Sequence, residues 1–120
     1  MADNPITQVY VDSVYSLVDG SGEELGGRTN HRSTFQSYPD GDIIISTVEI
    51  GSGFNQVARL NGSVLTQDRA EPVYNRAGIR IGVRRYWRGH LSGGGHFEFL
   101  VVSRGPPDNA ESLSLIIKRK

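Results

Sequence analysis

The chain contains no cysteine in its 120 residues, which removes thiol catalysis, cysteine-held zinc and a disulfide framework together. Long apolar runs are missing too. The longest, Ile43-Ile44-Ile45 and Phe99-Leu100-Val101-Val102, fall far short of the roughly 20 residues a helical membrane span needs, so a soluble protein without a membrane span is expected. Residues 1–5, Met1-Ala2-Asp3-Asn4-Pro5, offer neither a basic stretch nor an apolar one, and no secretory leader is visible in them. No Gly-x-Ser-x-Gly elbow, Walker-type phosphate loop or dinucleotide fingerprint occurs. Net charge is zero, which disfavours nucleic acid as a partner, because non-specific affinity for it comes chiefly from neutralising phosphates.

What the chain has in excess is glycine, at 15 residues against an average near 7%, placed between apolar segments and therefore marking turns. Chain length favours one domain, with residues 1–5 as a flexible arm and 6–120 as a single all-β domain. In residues 6–18 Val11, Val14, Tyr15 and Val18 fit helical spacing, but the density of valine and tyrosine favours a strand with a bulge at Asp12-Ser13. Asp19-Gly20-Ser21-Gly22 forces a turn, and residues 23–33 read as a polar loop. Past Tyr38-Pro39-Asp40-Gly41, residues 42–50 form a strong isoleucine- and valine-rich strand. Asn61-Gly62 between residues 54–60 and 63–67 is the best hairpin signal, because a type I′ turn needs positive φ at both positions.

A short segment, Pro72-Val73-Tyr74, precedes an arginine-loaded strand, Arg76 to Arg88, in which Ile79, Ile81, Val83 and Trp87 alternate with Arg80, Arg84, Tyr86 and Arg88. Gly93-Gly94-Gly95 predicts a hairpin that sets Leu91 opposite Phe97 and Trp87 opposite Val101, and brings His90 opposite Glu98. Residues 104–109 read as a turn, and Leu113, Leu115 and Ile117 alternate in a last strand. The sum is an all-β fold: a small antiparallel β-sandwich or barrel of about seven to eight strands built from hairpins.

Charge is uneven along the chain. Residues 1–60 hold eight acids and three arginines, net −5, whereas residues 61–120 hold ten bases and five acids, net +5. The simplest reading is internal: strands from the two halves pair and their charges cancel. Arginine outnumbers lysine eleven to two, and arginine suits planar, bidentate or stacked contacts at interfaces. Arg80, Arg84, Tyr86 and Arg88 are therefore the candidate partner-binding face. His90, His96 and Glu98 are the candidate metal ligands, if the glycine hairpin brings two imidazoles and a carboxylate together. Asp19 to Glu24 and Asp40-Gly41-Asp42 faintly resemble oxygen-ligand loops, but turns demand the same residues.

With no catalytic constellation and no implied cofactor, the sequence points to a non-catalytic structural or assembly subunit. Such a subunit would bind copies of itself or a larger scaffold, as capsid-decorating, virion, tail or filament components do. The alternatives are a carbohydrate-binding β-sandwich module, with Tyr38, Tyr74, Tyr86 and Trp87 as candidate sugar platforms although Trp87 is more simply a core residue, and a metal-dependent β-barrel enzyme.

Overall fold

The computed structural model describes residues 6–26, 33–51, 53–103 and 110–120. The predicted arm and the turn at 104–109 lie outside the described residues. Ten strands form: β1 (Gln8–Ser16), β2 (Gly22–Glu24), β3 (Ser33–Tyr38), β4 (Gly41–Ile50), β5 (Gly53–Leu60), β6 (Ser63–Val64), β7 (Thr66–Tyr74), β8 (Arg80–Leu91), β9 (Gly95–Ser103) and β10 (Ala110–Arg119). They build two five-stranded sheets, ordered β2-β1-β4-β8-β7 and β3-β10-β9-β5-β6. Every described pairing is antiparallel except β10 with β3. The fold is a small β-sandwich, and no helix occurs among the described residues.

Period-two alternation puts one face of each sheet into a shared core. Val11, Val14, Ile43, Ile45, Trp87 and Leu91 enter from the first sheet, and Ala58, Leu60, Phe97, Phe99, Val101, Leu115 and Ile117 from the second. Trp87 packs on Phe99 with ring centroids 5.7 Å apart and a 54° tilt, while its indole Nε1 donates to Thr47 Oγ1 at 2.9 Å. The expected bulge in the first strand is present: Val11 pairs with Thr47 and Ser13 with Ser46, so Asp12 is the extra residue. The expected tight turn is present too, with Leu60 opposite Ser63 and φ of 52° at Asn61 and 82° at Gly62.

Four expectations are corrected. The glycine loop 93–95 does not close a hairpin: β8 pairs with β4 and β7, and β9 with β5 and β10, so the chain crosses from one sheet to the other. The parity was legible, since Leu91, Trp87, Phe97 and Val101 all point into the core. Two facing sheets satisfy that parity as well as one ladder does. The arginine strand starts at Arg80 rather than Arg76, because Asn75 Oδ1 accepts from the amides of Ala77 (2.9 Å) and Ile79 (3.0 Å) and closes a turn. Ile79 is left exposed as a result.

The segment after Asn61-Gly62 splits at Leu65, β6 staying with the second sheet and β7 joining the first. Finally, the supposed polar loop after Gly22 contains β2, and β3 follows it. Both lack apolar alternation strong enough to declare them; β2 is laddered to β1 and β3 to β10, and one carboxylate links the two. Glu23 accepts from the amides of Phe35 and Gln36, each at 2.9 Å, and from the Tyr38 hydroxyl at 2.7 Å, tying the two sheets at their edges.

Candidate functional site: the outer groove of the first sheet

The expected cancellation of charge between the halves of the chain is visible pair by pair. Arg84 Nε donates to Asp12 Oδ2 at 2.9 Å, Arg85 Nε to Glu49 Oε1 at 2.6 Å, and Arg88 Nη2 to Asp42 Oδ2 at 3.0 Å. In each case a second-half arginine answers a first-half acid from β1 or β4.

Arg85 shares the parity of Trp87 and turns into the sandwich, where Glu49 is only 1% exposed. Gln67 Oε1 accepts from Arg85 Nη1 at 2.9 Å, and Gln56 Nε2 reaches Glu49 Oε2 at 3.4 Å. This inner network between the sheets was missed by sequence reading. Its signal was available: Glu49 falls on the core parity of the strand Ile43, Ile45, Thr47.

The outer face of the same sheet carries Arg84, Tyr86 and Arg88 from β8, Tyr15 and the bulged Asp12 from β1, and Ile44 from β4. Its middle row is built from short side chains, Ser13 opposite Ser46, whose hydroxyls hydrogen-bond to each other. Small residues under a row of tyrosines and arginines leave a depression. It measures about 650 Å³ and is lined by Asp12, Ser13, Tyr15 and Ile44 together with Glu24 and Asp68 from the two outer strands. That size falls within the range of small-molecule sites.

Each wall of the groove is fixed by a specific contact. Tyr15 stands opposite Gly22, and its ring lies across that glycine: a β-carbon built there would meet Tyr15 Cδ1 at 2.0 Å. Tyr86 donates its hydroxyl to Glu71 Oε1 at 2.9 Å, and the Arg69 guanidinium sits over its ring, 4.1 Å from the centroid. Arg84 is clamped on two sides, by Asp12 and by Glu71 Oε1 at 3.2 Å from Nη1. Its Nη2 has no partner among the described residues.

Proton affinities follow this wiring. The Tyr86 hydroxyl and that of Tyr10 are pushed up by burial first, then by Glu71 and Asp12 respectively. Glu71 is held below its usual range by hydrogen bonds from Tyr86 and Arg84. Glu71 therefore stays an ionised acceptor, and the Tyr86 hydroxyl a donor, over the ordinary pH range.

Of the sequence candidates, Arg84 and Tyr86 line the groove and Arg88 lies beside it, paired with Asp42, while Arg80 is exposed at the start of β8. The proposed metal ligands are not brought together. His90 lies on the outer face of the first sheet with Nδ1 3.1 Å from Asp42 Oδ1, whereas His96 and Glu98 sit 3.9 Å apart on the second sheet. No group of three His, Asp or Glu able to hold a metal occurs among the described residues.

The calcium-like turns are used structurally: Asp19 accepts from Ser21 and Lys120, and Asp42 from Arg88. Among the aromatic sugar candidates, Tyr38 is a core residue and no platform, Trp87 is in the core as its strand parity predicts, Tyr74 is exposed on the edge strand, and Tyr86 is a groove wall. Tyr15, which sequence reading did not single out, is the most exposed aromatic ring of the groove.

Residues 3–117 match the family model described as Domain of unknown function (DUF4879). Neither a curated protein nor a solved structure matches the chain.

Proposed function

The chain belongs to the DUF4879 family, a domain of unknown function, and we propose that it is a non-catalytic carbohydrate-binding module whose sugar site is the outer groove of the β2-β1-β4-β8-β7 sheet. The observation that carries this reading is Arg84, half-buried between Asp12 and Glu71 in an open depression walled by Tyr15 and Tyr86. A sugar offers adjacent hydroxyls that both donate and accept, together with a face of C–H groups. Guanidinium and carboxylates already oriented by one another meet the hydroxyls without further loss of side-chain freedom, and a flat tyrosine meets the C–H face. The mixed signs of charge also favour a polyol over a phosphate backbone, because Arg84 and Arg88 are already answered by acids of their own sheet.

The test is a glycan array followed by titration calorimetry on the wild type, Tyr15→Ala and Arg84→Ala. Selective binding that both substitutions weaken supports the reading, and a folded wild type that binds no glycan overturns it.

A second reading, the assembly subunit, is favoured by a different observation. Leu100 and Ile116 are 39% and 48% exposed on the outer face of the second sheet, where a neighbouring copy or scaffold could cover them. Light scattering discriminates: a strict monomer that also fails to bind any native assembly excludes it.

A further inference from the structure

We infer that the sugar this groove takes carries a free ammonium group, that is, an amino sugar, and that acidic glycans are excluded. The inference rests on the carbohydrate reading above and adds the charge class of the ligand. Four carboxylates, Asp12, Glu24, Asp68 and Glu71, surround the depression against two guanidinium groups, Arg69 and Arg84.

The excess is not spread evenly. Asp12 and Glu71 are spent on Arg84, while the carboxylates of Glu24 and Asp68 have no partner among the described residues. They stand on opposite margins. Glu24 ends β2 beside Ser13, and Asp68 is the extra residue of a bulge in β7, where Gln67 pairs with Trp87 and Arg69 with Tyr86. A bulge re-aims the side chain it adds.

The groove already holds one cation in the manner a ligand ammonium would be held. Arg69 lies over the Tyr86 ring at 4.1 Å, and Tyr86 is itself hydrogen-bonded to a carboxylate. Tyr15, packed against Gly22 and 41% exposed as a residue, repeats the aromatic half of that arrangement, and Glu24, opposite Ser13 on the adjacent strand, supplies the acid. An aromatic face beside a carboxylate is the chemistry that recognises an ammonium group. A uronate or sulfate would instead enter beside an excess of negative charge and lose both its hydration and its counterions.

The experiment titrates the wild type and the Glu24→Gln/Asp68→Asn double variant, at mildly acidic pH and low salt, with four probes. These are glucosamine oligomers, the N-acetylated oligomers of equal length, oligogalacturonate and oligolysine. The wild type is expected to bind the amino oligomer about tenfold more tightly than its N-acetylated counterpart, the scale of one charge-assisted contact. The double variant is expected to lose that preference, so that the amino and N-acetylated oligomers bind it alike.

Equal affinity for the amino and N-acetylated oligomers, or tighter binding of oligogalacturonate, overturns the inference but leaves the carbohydrate reading standing. Oligolysine binding as tight as the amino oligomer makes the occupant a basic peptide and overturns it. Binding of none of the sugars by the folded wild type removes the carbohydrate reading itself.

Discussion

Tyr15 packs against Gly22, its cross-strand partner, so closely that any β-carbon at residue 22 would collide with the ring at 2.0 Å. The glycine is thus the seat of one wall of the groove. Gly22→Ala should lift the tyrosine and cost roughly tenfold in glycan affinity, about the value of one aromatic contact. Thermal stability should fall as well, because the same β-carbon would meet the main-chain oxygen of Val14 at 2.8 Å and push β2 away from β1. Calorimetric titration and a melting curve on the same variant check both halves of the expectation.

The inner ion pair behaves differently. Glu49 and Arg85 are sequestered between the sheets, and removing one partner leaves an uncompensated charge there. Glu49→Gln or Arg85→Met alone should cost about 3–5 kcal/mol, whereas replacing both with apolar residues should cost far less than the sum. Urea denaturation of the single variants and of Glu49→Leu/Arg85→Met measures the coupling.

Trp87→Ala removes a core ring packed on Phe99 and leaves Thr47 Oγ1 without its indole donor. A loss of about 3–5 kcal/mol is expected. Tyr86→Ala, on the opposite face of the same strand, should be much milder in stability and visible in ligand binding. Chemical denaturation of both variants, with the parent's tryptophan emission as a burial check, separates the two faces of β8.

Acid should loosen the groove. Glu71 is depressed below its ordinary value of 4.5 by the Tyr86 and Arg84 hydrogen bonds, and Asp42 below 3.8 by Arg88 and then His90. A group whose folded value is lowered contributes stability that is complete above the unfolded value and vanishes as pH falls through the folded one. Melting temperature should therefore decline as pH drops below about 4.5. Glu71→Gln should flatten that decline and leave the neutral-pH slope unchanged. Melting curves of both proteins across acidic pH are the measurement.

These contrasts also mark how far the residues speak for themselves. Local signals carried well: Asn61-Gly62 fixed its turn, the bulge at Asp12 and the β4 strand were readable, and so was the inward parity of Trp87, Phe97 and Leu115. Pairing partners were not readable, because inward parity is satisfied equally by two strands in one ladder and by two strands facing each other across a core. That is why the β8–β9 hairpin was expected and a crossover is found. Strands β2 and β3 escaped for another reason: they are edge strands laddered to β1 and β10 and linked through Glu23, with no apolar alternation to declare them.

Half of the groove was legible, through Arg84 and Tyr86. The other half, Tyr15, Glu24 and Asp68, comes from three other strands and is assembled only by the sheet order.

The central claim is that this outer groove binds carbohydrate, and amide chemical-shift mapping tests it most directly. The labelled wild-type protein is titrated with neutral and amino oligosaccharides up to millimolar concentration, about the weakest affinity of use. Shifts gathered at Tyr15, Ile44, Asp68, Arg84 and Tyr86 are the expected result. Shifts confined to the opposite sheet around Leu100 and Ile116, or no saturable shifts from any oligosaccharide, would contradict it.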